Sequence, residues 1–295
     1  MVSAGLIVTQ LLNGLTIGLV YALIALGLTI VLGLMGVVNF AHGSFYMIGG
    51  YITYTLTASL FRNFWVGLLF GAVVCAVVGL GLFYSIIRPL RERPPLEPMV
   101  ALVGVAMIFE QLTRSFWGAD PKLLPIPFGR IELNFFGYTL KYPIYFLAVM
   151  IISILLLSFF YYLFRKTDLG VRCLASIQDR ETAMSLGVDV DRVGRLMFII
   201  GMAAAGAGGG LAGPIFSVYP TMGTELIGLI FVIVIIGGLG SIAGTVMASI
   251  AIAMITSLSL IFVSGNIAHI FAYVILLVML LFRPRGIMGF ERVLE

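Results

Sequence analysis

The chain contains little charge, and its few charged residues are unevenly distributed. No Asp, Glu, Lys or Arg precedes Arg62, and none lies between Glu225 and Arg283. Charged residues make up 10% of the 295 residues, whereas soluble domains contain about 25%. A charge at the centre of a bilayer costs about 2.5–3.5 kcal/mol on the insertion scale. The uncharged runs therefore exclude an ordinary soluble protein and indicate membrane-spanning segments.

Cysteine and histidine are scarce as well. The two cysteines, Cys75 and Cys173, offer neither a disulfide framework nor a metal cluster. The two histidines, His42 and His269, lie far apart, so a zinc site or a hydrolytic triad has no support. No Gly-x-x-x-x-Gly-Lys-Ser/Thr phosphate loop occurs, and the glycine pattern at 208–213 lies inside an apolar run that follows no strand. We therefore expect no catalytic residues, no cofactor and no metal.

Apolar residues dominate the sequence. They make up 61% of the chain, and the mean hydropathy is +1.15. A spanning helix needs about 20 apolar residues, so the chain has room for about eight or nine spans. We predict an all-α, polytopic integral membrane protein with broken or re-entrant segments, forming a single transmembrane domain over residues 1–295. The predicted apolar segments are 6–31, 44–60, 64–87, 99–117, 143–164, 196–218, 226–240, 244–263 and 267–282.

Glycine is abundant, with 35 residues. Most pairs spaced four residues apart are expected to let helix backbones approach one another within the chain, because small residues favour helix packing in lipid; for one or two pairs a dimer seam is the alternative. The pairs are Gly14/Gly18, Gly67/Gly71, Gly206/Gly210 and Gly240/Gly244. The glycine-rich stretches 33–44 and 206–214 are predicted to interrupt helices. The Pro- and aromatic-rich loop 118–142 could hold a short hairpin.

Basic residues cluster in three segments that can all face the cytoplasm. Segment 88–98 carries three, 165–195 six and 283–295 three. Basic residues near helix ends favour the cytoplasmic side. Two predicted spans separate the first two clusters and four separate the last two, so the N-terminus is predicted to lie outside. This distribution explains the net charge of +4 without any binding of nucleic acid.

Eleven of the charged residues lie between Arg165 and Arg195, in a polar stretch too long for a tight turn. Within it, residues 171–186 contain neither Pro nor Gly and mix apolar with charged side chains. This pattern predicts a short amphipathic helix bounded by Gly170 and Gly187. Periodicity alone fits equally well a helix that docks on a soluble partner and one that lies on the membrane surface.

Several blocks of the sequence closely resemble a known family. They are Asn-Gly-Leu-Thr-Ile-Gly at 13–18, Tyr-Ala-Leu-Ile-Ala-Leu-Gly at 21–27 and Val-Asn-Phe-Ala-His-Gly at 38–43. These blocks are similar to the opening of LivH-type permeases, the membrane subunits of ABC importers for branched-chain amino acids and related small solutes. The resemblance continues at 168–170, 179, 183, 187, 191–193, 237–241 and 284–289.

The resemblance implies a function and partners that the composition does not. It implies a translocation subunit, not itself an enzyme, in the inner (plasma) membrane of a bacterial cell. The implied partners are two ABC ATPase subunits, a second permease (LivM-like or another copy), an extracytoplasmic solute-binding protein and a small-molecule solute. Segment 165–195 would be the cytoplasmic coupling loop, whose helix docks on an ATPase. The candidate coupling residues are Gly170, Arg172, Ala175, Asp179, Ala183 and Gly187.

Polar residues in or near apolar segments are candidates for the solute pathway. At the expected helix break, Asn39 and His42 either meet the solute or brace the turn, with Asn39 capping a helix end and His42 hydrogen-bonded to a carbonyl. Glu110 precedes Arg114 by four residues inside an apolar segment, so the two either form a structural pair or line the pathway. The pathway candidates are Asn39, His42, Ser44, Glu110 and Gln111.

Three departures from the family pattern leave the solute open. Ser44 and Leu229 stand where Glu and Lys are frequent, and Leu174-Ala175, with Arg172 before it, replaces a frequent Arg-Ala pair. The first two bear on solute choice and the third on the ATPase contact. Branched-chain amino acids, urea, amides and small carboxylates are all candidates. A self-sufficient, ion-coupled secondary transporter is the alternative, and Glu110 is the one deep carboxylate it could use.

Overall fold

The computed structural model describes residues 4–60, 62–135, 138–283 and 286–288, and these are mostly helical. The α-helices are α1 (Ala4–Met35), α2 (His42–Thr55), α3 (Phe64–Leu82), α4 (Arg88–Leu90), α5 (Leu96–Trp117), α6 (Ile144–Lys166), α7 (Asp168–Gln178), α8 (Arg180–Ser185), α9 (Val190–Phe216), α10 (Met222–Gly237), α11 (Ile242–Ser259) and α12 (Gly265–Phe282). Single π-helical turns, Leu56–Leu60 and Phe83–Ile87, extend α2 and α3. Most of the C-terminal segment 283–295, including much of the block at 284–289, lies outside the described residues.

The structure confirms the predicted fold class. Within the described residues, six helices are long and apolar enough to cross a membrane, and two shorter apolar helices span Met222–Gly237 and Ile267–Phe282. A helix occupies each predicted apolar segment. The predicted hairpin is also present, since β1 (Arg130–Phe135) pairs antiparallel with β2 (Tyr138–Pro143). The chain is therefore a multi-pass membrane protein.

The glycine-rich stretch 206–214 does not break a helix, which corrects the prediction. It lies inside the continuous helix α9, with Pro214 in the last turn. An added Cβ would lie 2.6 Å from Ile24 Cγ1 of α1 at Gly208, and 2.6 Å from Thr53 Oγ1 of α2 at Gly210. The glycines therefore let α9 pack closely against its neighbours, and this packing keeps the glycine-rich segment helical.

The glycine pairs pack helices together within the chain, as predicted. An added Cβ on Gly14 or Gly18 would lie 2.8 Å from the Cα of Met254 or Ile250, respectively, in α11. Gly67 and Gly71 of α3 pack similarly on the backbone of α2. Because backbones can approach closely only where side chains are absent, these glycines allow α1 to pack closely on α11 and α3 on α2.

The connecting loops lie at two opposite ends of the helical bundle. At one end, Arg91 forms an ion pair with Asp191, and the backbone of Ile287 donates a hydrogen bond to Ile236 O at 2.8 Å. We call this the basic end, because segments 88–98 and 165–195 meet there. At the other end, called the hairpin end, Tyr142 of β2 lies 3.4 Å from Thr16 in the N-terminal half of α1. This arrangement agrees with the three basic clusters sharing one side of the membrane.

The predicted break at 33–44 is present but shorter. Helix α1 continues through Gly33 to Met35, and the non-helical segment covers 36–41. Helix α2 then starts at His42, whose Nε2 lies 2.8 Å from Ile24 O of α1. Ile24 precedes the end of α1 by eleven residues, or about 16 Å of helical rise. Helix α2 therefore starts inside the bundle rather than at its surface.

Candidate functional site

Helix α10 also begins inside the bundle, beside the start of α2. A Cβ added to Gly223 would lie 3.2 Å from Ser44 N, and the backbones of Gly43 and Gly223 touch. A cavity of about 280 Å³ lies against the first turns of α10. Residues from α1, α2, the end of α9, α10, α12 and the turn between α9 and α10 line it. They are Tyr21, Tyr46, Phe216, Ser217, Tyr219, Met222, Glu225, Leu226, Leu229, His269 and Tyr273.

Glu225 is the acidic group of this cavity, and neutral donors hold it. Its Oε2 accepts a hydrogen bond from the Tyr219 hydroxyl at 2.8 Å, and its Oε1 accepts one from the Thr221 hydroxyl at 2.6 Å. The ion pairs among the described residues do not include Glu225. The two hydroxyl groups therefore fix the orientation of the carboxylate. Its negative charge is not neutralised by a cationic side chain in the ion pairs of the described residues.

The apolar wall of the cavity is formed by side chains of α10, the helix that carries Glu225. Leu229 is 5% exposed and lies one turn beyond Glu225, and Leu226 and Met222 complete this wall. The cavity thus combines a carboxylate and several hydroxyl groups with an apolar surface. Ser217 at its edge has a φ of 62°, a backbone conformation that costs a non-glycine residue about 1–3 kcal/mol and often occurs at functional sites.

Asn39, His42 and Ser44 are buried in the bundle and do not line this cavity. The N-cap of α2 is Ala41, without a side-chain cap, so the predicted capping by Asn39 is wrong. The predicted bond from His42 to a carbonyl is confirmed, although the carbonyl belongs to α1. Burial of all three side chains gives them a role in fixing the start of α2 in this structure.

Glu110 and Arg114 form the predicted intrahelical pair, with 2.8 Å between Oε1 and Nη2. The other Glu110 oxygen accepts a hydrogen bond from Thr224 at 2.9 Å, which ties α5 to the first turn of α10. Gln111 is exposed on the outer surface of α5. Glu110 thus braces the residue next to Glu225, and neither Glu110 nor Gln111 lines the cavity.

The sequence could not indicate most of the cavity residues. Tyr21, Glu225 and His269 come from distant parts of the chain and form no local motif. One signal did exist, because Leu229 was noted as a departure from the family pattern and it lines the cavity. Glu225, which is exposed, was not among the candidates from the sequence.

Segment 165–195 forms two helices instead of the one predicted. Helices α7 and α8 meet at Asp179, whose φ of −147° interrupts the helix. Asp179 caps α8 by accepting a hydrogen bond from Thr182 N at 3.0 Å, and the Thr182 hydroxyl donates to the same carboxylate. Both bonds lower the pKa of Asp179 below its ordinary value, and the bond from the hydroxyl has the larger effect. Two helices form instead of one because the Asp179 side chain accepts the hydrogen bond of a backbone N–H that a continuous helix would use internally.

The caps of the two helices differ in part from the prediction. Thr167, and not Gly170, caps the start of α7, with its hydroxyl 3.2 Å from Gly170 N. Gly170 is buried where α7 crosses the end of α6, and a Cβ there would overlap the backbone of Leu163. Gly187 follows α8 with a φ of +83°, as expected for a glycine after a helix end.

The exposed surface of this segment includes three large apolar side chains that were not among the candidates. Leu186 is 80% exposed, Val171 of α7 is 56% exposed and Met184 is 54% exposed. Ala183, by contrast, is buried at 3% exposure, whereas Arg172 is exposed and Ala175 half-buried. The accessible surface of α7 and α8 therefore includes Val171, Met184, Leu186, charged residues such as Arg172, and the open backbone at Gly187.

The interior contacts of this segment reach the turn between α10 and α11. A Cβ added to Gly240 in that turn would lie 3.1 Å from Ile177 Cγ2, and one added to Gly33 of α1 would lie 3.6 Å from Ile177 Cδ1. Ile177 of α7 thus packs against α1 and against the turn that follows α10. Through α10 this contact connects the basic end with the cavity at Glu225.

The known proteins that this chain resembles are permease components of transport systems. A family described as "Branched-chain amino acid transport system / permease component" matches residues 10–282. The chain is 30% identical to "High-affinity branched-chain amino acid transport system permease protein LivH" of Escherichia coli K12, over 95% of the chain and 94% of that relative. It is 31% identical to the permease protein BraD of Pseudomonas aeruginosa, over 95% of each.

A more distant relative is also found. The permease protein LivM of Escherichia coli K12, from a transport system of the same description, is 26% identical over 94% of this chain and 69% of its own length. No solved structure matches the chain significantly.

Proposed function

Because the chain belongs to the permease-component family of branched-chain amino acid transport systems, we propose that it is the translocation subunit of an ABC importer in a bacterial inner membrane. It pairs with a second permease that resembles LivM or is another copy. Two ABC ATPases drive it from the cytoplasm, and an extracytoplasmic binding protein delivers the solute. Residues 1–295 form one transmembrane domain, with 165–195 as its cytoplasmic coupling loop.

The observation that carries this proposal is the exposed apolar pair Met184 and Leu186 on the capped helix α8 and the turn after it. Large apolar side chains on a charged surface mark an interaction site, and a short helix with apolar anchors suits a groove on a partner. Three arginines and three carboxylates line a recess beside Met184, at the end of the bundle that is expected to face the cytoplasm. An ATPase is the partner that an importer needs there.

The coupling route follows the contacts of Ile177. Closure of the ATPases on ATP binding moves α7 and α8 together. The packing of Ile177 against Gly33 and Gly240 passes this motion to α1 and to the end of α10. Helix α10 begins at the cavity, so its displacement changes the access to Glu225 and the affinity for the solute. ATP hydrolysis resets the cycle.

The solute that fits the cavity is an amino acid with an apolar side chain. Its ammonium group would neutralise Glu225, which is already oriented by Tyr219 and Thr221. Its side chain would lie against Leu226 and Leu229, whereas a small carboxylate without an amine would be repelled by Glu225. The site is expected to bind weakly, because a conduit that binds tightly cannot release.

An ion-coupled secondary transporter has less support. Its one deep candidate, Glu110, is paired with Arg114 and with Thr224, so the carboxylate is not free to exchange an ion.

The test is to reconstitute the chain in proteoliposomes with its second permease and binding protein, with and without the ATPases. We expect uptake of a branched-chain amino acid only with the ATPases and ATP. Uptake that persists without the ATPases, driven by an ion gradient, would overturn the proposal.

A further inference from the structure

A second large recess lies on the lipid-facing side of the chain, near the basic end. It has a volume of about 670 Å³ and runs between α6, α7 and the start of α11. We call it the α6–α11 groove. Leu26 of α1, 1% exposed in the bundle, contributes to its wall, and Ile154 and Leu157 of α6 line it farther from the basic end. The groove is therefore mostly apolar.

The polar groups of the groove lie near the basic end. Arg165, in the last turn of α6, lines the groove together with Gln178 of α7 and Ser241 at the start of α11. No Asp or Glu lines it, and Arg165 takes no part in the ion pairs formed by the described residues. From Arg165 to Ile154 the helix rises about 16 Å. The groove thus has a cationic mouth at the membrane surface and an apolar interior within the bilayer.

The shape and the charge of the groove indicate the kind of occupant. Its apolar wall runs along α6 from a cationic mouth, as a lipid runs from its headgroup to its acyl chains. An uncompensated guanidinium at the mouth matches a phosphate, with which Arg forms paired hydrogen bonds.

We propose that the α6–α11 groove binds one anionic phospholipid of the leaflet at the basic end, with its phosphate on Arg165 and one acyl chain against Leu26 and Leu157. Leu174 and Gln178 of α7 line the same groove, so the bound lipid supports the position of α7. The importance of this support for transport rests on the proposed coupling role of α7, whereas lipid binding itself does not.

The test is native mass spectrometry of the full-length chain, titrated with phosphatidylglycerol or phosphatidylcholine of the same chain length. We expect the wild-type chain to retain phosphatidylglycerol preferentially. Arg165→Gln should weaken that binding about fivefold, since a basic residue near an anionic membrane surface contributes about 1 kcal/mol. Arg165→Lys should restore much of the preference. Lys166→Gln, which removes the neighbouring charge outside the groove, should leave it unchanged.

A second variant tests the apolar part of the site. Ala243 lines the groove and is exposed, so Ala243→Trp should fill it and reduce the binding of both lipids. Equal loss in Lys166→Gln and Arg165→Gln would show only a general surface charge and would overturn the proposal. So would unchanged lipid binding in both Arg165→Gln and Ala243→Trp. Cross-linking of position 243 to the second permease, in place of lipid, would also overturn it.

Discussion

The backbones of Gly43 and Gly223 are in contact where α2 and α10 begin, so neither position has room for a side chain. Both helices therefore start inside the bundle, and their N-terminal ends meet there. In other transporters, half-helix N-termini that lie inside the membrane face the solute. The cavity at Glu225 lies on the first turns of one of these helices, so the glycine contact fixes the geometry of the proposed solute site.

The first prediction concerns this contact. Gly223→Ala would place a methyl group against the backbone of Gly43, and overpacking of this kind typically costs about 1–3 kcal/mol. We expect a lower thermal unfolding temperature and reduced uptake. Gly228→Ala on the same helix is the matched control, because its added Cβ would meet only Tyr273 Oη at 3.4 Å. Thermal unfolding in detergent, measured for both variants, compares them directly. Equal stability of the two variants would contradict the role of the contact.

The sequence predicted the helical segments well because the bilayer sets their length and composition. It failed at 206–214, where glycine content alone indicates a break. The helix persists because Gly208 and Gly210 face neighbours that leave no room for a side chain. Such packing depends on residues distant in sequence, such as Ile24 and Thr53, and no local pattern shows it.

The candidate site was harder to predict than the fold. The block around Asn39 and His42 is the most distinctive part of the sequence, yet its side chains are buried where α2 begins. Glu225 was not among the candidates from the sequence, because its hydrogen bonds with Tyr219 and Thr221 become evident only once the turn between α9 and α10 is known. In a bundle, a cavity combines single residues from several helices.

A second prediction tests the coupling surface. Leu186→Glu places a charge where an apolar side chain is expected to enter a groove on the ATPase. In the reconstituted importer we expect loss of most of the solute-stimulated ATP hydrolysis, with normal insertion of the chain. Ser185→Glu adds the same charge to a neighbouring exposed residue and should retain hydrolysis. Ala183 is unsuitable for this test, because it is buried and a charge there would disturb the packing of α8. Normal stimulation in Leu186→Glu would remove Leu186 from the contact.

A third prediction concerns the pH dependence of α8. Hydrogen bonds from Thr182 lower the pKa of Asp179 below the ordinary value of 3.8. The stabilisation is therefore fully present above pH 3.8 and is lost as pH falls below it, toward the pKa in the folded state. We expect the amide protection of Thr182, corrected for intrinsic exchange, to fall over that range. Asp179→Asn retains a capping side chain without a titrating group, and its protection should not change with pH. An equal change in the variant would assign the effect to another group.

A fourth prediction tests the charge of Glu225. Glu225→Gln keeps the size of the side chain and its oxygen acceptor for Tyr219 or Thr221, while it removes the negative charge. A hydrogen bond to a charged group contributes about 1.5–3 kcal/mol, so uptake of leucine should fall on the order of tenfold to a hundredfold. Uptake of the keto acid with the same carbon skeleton, which has no ammonium group, should not fall and is expected to rise relative to leucine.

Glu132→Gln, which removes an exposed carboxylate paired with Lys141 in the hairpin, is the control and should leave both rates unchanged. Because the binding protein also selects the solute, both rates are measured with the binding protein at saturating solute. If Glu225→Gln lowered the two rates in the same proportion, the carboxylate would be supporting the structure of the α9–α10 turn rather than recognising an ammonium group.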